Sequence, residues 1–173
     1  MNQENLIKEY SKGTIVIHWL STALILILFP LGKYMSGINP AEKIDLIKIH
    51  VILGLIVFVL TIIRTWLFFK APRPNNLKTG SRSNDILVVW VHNAFYFLLF
   101  GIAVSGIATI ILGGYGEALS SGNPELIIDR NEIIPLKAHG TLGLILMLLF
   151  AMHVAGVIKH FITKKENMLK RIS

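Results

Sequence analysis

The stretch LKAHGTLGLILMLLFAMHVAGVIKHFI, residues 136–162, decides the fold. It runs 27 residues without an acidic side chain, and its only permanent charges are Lys137 and Lys159, close to its two ends. As a helix it covers about 40 Å, more than the ~30 Å of hydrocarbon in a bilayer. Three histidines interrupt the apolar pattern: His139, His153 and His160. His139 and His153 stand fourteen residues apart, which in a helix means about 21 Å along the axis and only ~40° around it. They share one stripe, one ring near each membrane surface.

Three more apolar segments precede this one, at roughly 15–35, 49–69 and 86–112, and each is long enough to cross the membrane. The chain is 53% hydrophobic and only 16% charged, with a mean hydropathy of +0.63, outside the range of soluble proteins. The first segment is too long for a cleaved signal peptide, holds His18, and has no small-residue cleavage site after Pro30 to Gly37, so it is expected to remain. Short connections between four spans predict an all-α, integral membrane four-helix up-down bundle, a single transmembrane domain over residues 1–173.

The net charge of +7 raises the question of nucleic acid, and the location of the charge answers it. Lys8 and Lys12, then Lys70, Arg73, Lys78 and Arg82, then Lys159, Lys164, Lys165, Lys170 and Arg171 crowd just outside apolar segments and alternate with the opposite connections. Those opposite connections keep Lys33, Lys43, Lys48, Arg130 and Lys137 against Glu42, Asp45, Glu117, Glu125, Asp129 and Glu132. The positive-inside rule then places both termini in the cytoplasm, with lipid as the partner and no nucleic acid. Asn84 and Asp85 are read as caps of the third helix. Gly113 to Asn131 is read as an irregular external loop or short interfacial helix.

With no cysteine, disulfides, thiolate clusters and covalent haem attachment are excluded, and histidine is the strong nitrogen ligand available. All six histidines lie within or at the ends of apolar segments, where an ionisable group must be paired, coordinated or hydrated. The topology puts His18 at the depth of His153 and His50 at the depth of His139. Two stacked bis-imidazole sites result, each suited to a haem b held by coordination. Two imidazoles without a third protein ligand make a poor zinc site, whereas bis-imidazole ligation closes a haem iron and favours electron transfer.

His92 falls near the depth of His18 and His153. His18 with His153 is preferred because both sites then use one face of the fourth helix; His18 with His92 is the alternative. His92 is otherwise assigned to a quinone or a haem edge, and His160, about 10 Å beyond His153, to the same quinone region. Arg64 is a candidate partner for a haem propionate, with snorkelling to the surface as the plainer alternative. Lys48 and Lys137 put positive charge at the external mouth, where a propionate or an anionic substrate is attracted. Gly54, Gly101, Gly106, Gly140 and Gly143 suit either a flat macrocycle or helix packing. Trp19, Trp66 and Trp90 are read as an interfacial belt.

The stretches Ile17-His18-Trp19-Leu20, Ile49-His50 with Gly54, Arg64 to Lys70-Ala71-Pro72-Arg73-Pro74, His92 with Tyr96 and Ser105-Gly106, Lys137-Ala138-His139-Gly140, and Met152-His153 through His160 to Asn167 cover nearly the whole chain in order. Together they resemble the prokaryotic cytochrome b561 family, and within it the superoxide oxidase branch. The resemblance implies a di-haem b protein of the bacterial inner membrane with ligands on helices one, two and four. It implies superoxide oxidation on the periplasmic side and ubiquinone reduction. It equally fits a haem subunit that relays electrons between a hydrogenase- or dehydrogenase-type redox partner and the quinone pool. A transporter carrying protons or a metal on its intramembrane histidines is the non-redox alternative.

Overall fold

The computed structural model describes residues 10–71, 81–128, 132–164 and 172. Lys8, Arg73, Lys78, Asp129, Arg130, Lys165, Asn167, Lys170 and Arg171, used above for charge or resemblance, lie outside the described residues. Four long helices carry the chain: α1 (Lys12–Met35), α2 (Pro40–Lys70), α3 (Arg82–Leu112) and α5 (Ile134–Lys164). All four are long and apolar enough to span a membrane. A short helix α4 (Tyr115–Ser121) and a single 3-10 turn (Pro124–Leu126) join α3 to α5, and no strand occurs among the described residues. The expected all-α four-helix membrane bundle is the observed fold.

Local chemistry sets the helix ends. Ser11 caps α1 by accepting a hydrogen bond from the Thr14 backbone N–H. Pro40 opens α2 at a position where its missing N–H is not needed. The third helix starts earlier than its sequence suggested. Ser81 is the cap, Asn84 and Asp85 lie inside the first turn, and the Asp85 N–H donates to the Ser81 carbonyl at 3.0 Å. An acidic side chain there still complements the partial positive charge of the helix start. Within the spans, the hydroxyls of Thr22, Thr61, Thr65 and Thr109 each donate to the carbonyl four residues back at 2.8 Å, so these polar groups enter an apolar layer already satisfied.

Neighbouring helices run antiparallel, and side-chain neighbours give the register. Gly13 faces Leu67 and Gly32 faces His50 between α1 and α2. Phe58 meets Phe100, and Arg64 meets Tyr96, between α2 and α3. His92 meets His153, Gly101 meets Leu142, and Gly106 meets His139 between α3 and α5. One end of the bundle therefore carries the start of α1 and the finish of α5, and the other carries α4. We call these the terminal end and the α4 end. Buried Val57, Leu98 and Leu146, with the Phe58–Phe100 contact, fill the middle.

Within the stretch read as an irregular loop or short helix, residues 113–128 form a packed cap that includes the short helix α4. Tyr115, Ile47 and Ile133 are buried together, with Met35, Val51, Ile110, Leu119, Ile127 and Leu136 packed around them. Ala118 is fully buried. Gly114 makes the turn into α4 with φ 71°, and a Cβ there would collide with the Leu126 carbonyl. Large apolar side chains such as Phe69, Trp90, Phe97 and Ile111 instead face outward, as a lipid-embedded surface requires.

Candidate functional site

At the α4 end, α2 and α5 bring His50 and His139 together with ring centres 6.0 Å apart and planes inclined by 70°. The His139 Nδ1 lies 2.9 Å from the Ile102 carbonyl oxygen. A carbonyl can only accept, so this nitrogen carries the proton and Nε2 keeps its lone pair. Ser105 Oγ sits 3.4 Å from the same Nδ1 and donates to Ile102 at 3.0 Å. His50 Nδ1 is buried without a hydrogen-bond partner. Two glycines let these rings in: a Cβ on Gly32 would stand 3.3 Å from His50 Cε1, and one on Gly106 would stand 3.1 Å from His139 Cε1. Pro30, just before Gly32, removes the N–H that would have bonded Leu26 and loosens α1 beside the ring.

At the terminal end three imidazoles share one level. His92 and His153 have ring centres 5.4 Å apart at 90°, and Phe95 stacks edge-on against His153 at 5.6 Å. His92 Nδ1 donates to the Val88 carbonyl at 2.7 Å. His18 lies within electrostatic reach of His153, His92 and Arg64. The buried His18 Nδ1 and, one turn on, Ser21 Oγ have no hydrogen-bond partner. Arg64 lies over the Tyr96 ring, its guanidinium carbon 5.6 Å from the centroid, a cation–π arrangement that turns it toward α3.

These residues fit haem b. Metal–nitrogen bonds of about 2 Å on either side of an iron set two imidazole centres roughly 6 Å apart, and the His50–His139 separation of 6.0 Å matches. Nδ1–H bonded to a carbonyl, as at His139 and His92, is how a ring presents Nε2 to a metal. Half-buried Gly54 has open space where a side chain would stand, which leaves room for a flat ligand, whereas Gly140 is exposed. Among the described residues no three His, Asp or Glu side chains converge as a metal-ion site, which disfavours zinc.

The remaining candidates are scattered. Lys48 is exposed and paired with Asp45 at 3.3 Å, and Lys137 is exposed in the first turn of α5. His160 is half-buried one heptad past His153. Gly101 and Gly143 face Leu142 and Phe29. Trp19, Trp66 and Trp90 are exposed toward the terminal end, and the Trp19 indole N–H donates to the Ile172 carbonyl at 2.8 Å. Gly32, Phe95 and the Ile102 carbonyl are part of these layers without having been singled out from the sequence. Only Gly32, in the apolar run after Pro30, carried a signal.

A four-helix membrane bundle with histidines layered toward both surfaces belongs to the class of membrane-embedded b-type cytochromes. A family profile described as prokaryotic cytochrome b561 matches residues 9–173, and the chain belongs to that family. It is also similar to cytochrome b561 homolog 2 of Escherichia coli (strain K12), 25% identical over 182 residues that cover 99% of this chain and 95% of the relative. It is accordingly a multi-pass membrane protein that binds haem b and transfers electrons.

Proposed function

We propose that this chain is a di-haem cytochrome of the bacterial inner membrane, with both termini cytoplasmic, that oxidises superoxide at its periplasmic α4 end and reduces ubiquinone at its cytoplasmic end. The observation that carries this reading is the pairing of imidazoles at opposite ends of one bundle. His50 and His139 hold the periplasmic haem, and His153 with His18 the cytoplasmic one, with His92 as the competing ligand. When bound, each haem supplies one-electron exchange at iron. The protein's share is placement. Ile102 fixes the His139 ring and would raise the basicity of its Nε2 toward a bound iron, and two imidazole ligands would suit the haem to electron transfer.

The overall conversion balances as two superoxide anions, one ubiquinone and two protons giving two dioxygen molecules and one ubiquinol. His160 and the terminal-end histidines are groups able to hand protons to the reduced quinone, and Arg64 is placed to meet a propionate. Replacing Gly106 by Val drives a side chain into the space of His139 Cε1. The expected outcome is loss of more than half of the α4-end haem with the terminal-end haem and the helical circular dichroism unchanged, read by haem-to-protein ratio.

The charge at the α4 end favours a second reading of the donor. Of its described ionisable residues, Lys33, Lys43, Lys48 and Lys137 face Glu42, Asp45, Glu117, Glu125 and Glu132, and Lys48 is tied to Asp45. Such a surface does not concentrate anions, and a docking redox protein, as in a hydrogenase- or dehydrogenase-linked subunit, suits it. Anaerobic superoxide pulses onto the purified oxidised protein decide between the two. Reduction of the haem, slowed roughly two- to tenfold by Lys137→Glu at low salt and equally fast at high salt, is expected for direct oxidation of superoxide. A protein inert to superoxide that copurifies with a redox partner supports the relay instead.

A further inference from the structure

Two layers of similar imidazoles raise the question of what makes an electron prefer one of them. The layers differ in fixed charge. Arg64 comes from the membrane-spanning part of α2 and turns inward onto Tyr96 of α3. Phe68 packs edge-on to the same Tyr96 ring at 6.0 Å, so the half-buried Arg64 rests its guanidinium on an aromatic platform between α2 and α3. Tyr96 stands one helical turn after His92, whose ring meets His153 at 5.4 Å, so the guanidinium over it lies beside the terminal-end layer. A guanidinium stays charged at any physiological pH. The acidic residue of α3, Asp85, stands eleven residues before Tyr96, about 16 Å down the helix from that ring.

The α4 end has no equivalent among the described residues. His50 lies against His139, and His139 is held by the Ile102 carbonyl. The cations nearest this layer in sequence, Lys33, Lys48 and Lys137, are exposed, where water and salt screen them. A positive charge held in a low-dielectric interior stabilises the reduced, less positive state of a neighbouring redox centre far more than an exposed one does.

We propose that Arg64, seated on Tyr96, sets the direction of electron flow by raising the reduction potential of the terminal-end haem above that of the α4-end haem. The electron leaves the α4-end centre, which is oxidised, and reaches the terminal-end centre, which is reduced, with no proton required for the step. Arg64 acts through its field, whether or not a propionate also meets it. This rests on the two-haem reading above.

The test is a potentiometric titration of the full-length, haem-loaded protein in detergent, with the two waves assigned by the single-haem variants His139→Ala and His153→Ala. In the unaltered protein the terminal-end haem is expected to have the higher potential. In Arg64→Gln the terminal-end equilibrium for reduction is expected to fall at least tenfold, about 59 mV for one electron, while the α4-end wave moves by less than a third as much. Arg64→Lys is expected to restore most of the difference. Two haems with unchanged potentials in Arg64→Gln, or an equal shift of both, overturn the charge assignment alone. An unaltered protein whose α4-end haem has the higher potential overturns it even if the variants do not assemble. One haem per chain, read before any titration, overturns the two-haem reading and this inference together.

Discussion

On the two-haem proposal, replacing His139 by Ala is expected to strip one haem, leaving about half the haem per chain, and to stop electrons from crossing between the faces of the membrane. The ring occupies the space opposite His50 at 6.0 Å and is aimed by the Ile102 carbonyl. Second-shell changes around metal ligands typically cost 10–100-fold. Loss of the ligand itself should therefore reduce quinone reduction by an external donor by on the order of 100-fold or more. Ser105→Ala, which touches only the far side of the ring, should stay within about tenfold. The check is haem quantification per chain and quinol formation in proteoliposomes. Retention of both haems in His139→Ala would mean that another residue holds the iron.

That experiment is designed from residues whose visibility in the sequence was uneven. The four spans follow from apolar length alone, because a bilayer imposes one requirement on every crossing segment. The levels of His50 and His139 follow from helix rise once the up-down order is known, and they do lie side by side. Helix starts were harder to see. α2 begins at Pro40 and α3 at Arg82, ahead of their apolar runs, because helices continue through the headgroup region where hydropathy no longer reports them.

The α4 cap was illegible for a different reason. Tyr115, Ala118 and Ile133 are spaced irregularly, and only the tertiary approach of Ile47 from α2 makes them a core. Main-chain acceptors leave no mark at all. Nothing in the letter at position 102 announces that its carbonyl holds His139, and Arg64 would read equally well as a snorkelling surface charge until Tyr96 is placed beneath it.

The terminal end gives the second large effect, because three imidazoles meet there and, on the proposed reading, two of them would hold a haem. His153→Ala is expected to remove the terminal-end haem, to leave the α4-end haem, and to lower quinone reduction by on the order of 100-fold. The reason is positional. His153 faces His92 at 5.4 Å and lies within electrostatic reach of His18, so it belongs to either pair that includes α5. His18 is the expected partner. Its Nδ1 and the Ser21 hydroxyl form a buried, unpartnered polar patch on α1, an arrangement costing about 1–3 kcal/mol per group unless a ligand engages it. His92 is the most exposed of the three, although its Nδ1–H, like that of His139, is held by a carbonyl. His18→Ala should therefore lose the same haem as His153→Ala, whereas His92→Ala should keep both and slow only the exchange with quinone. Loss in His92→Ala with retention in His18→Ala would transfer the iron to the His92–His153 pair. An intact spectrum in His153→Ala would leave His18 and His92 as the ligands and take α5 out of the terminal-end site.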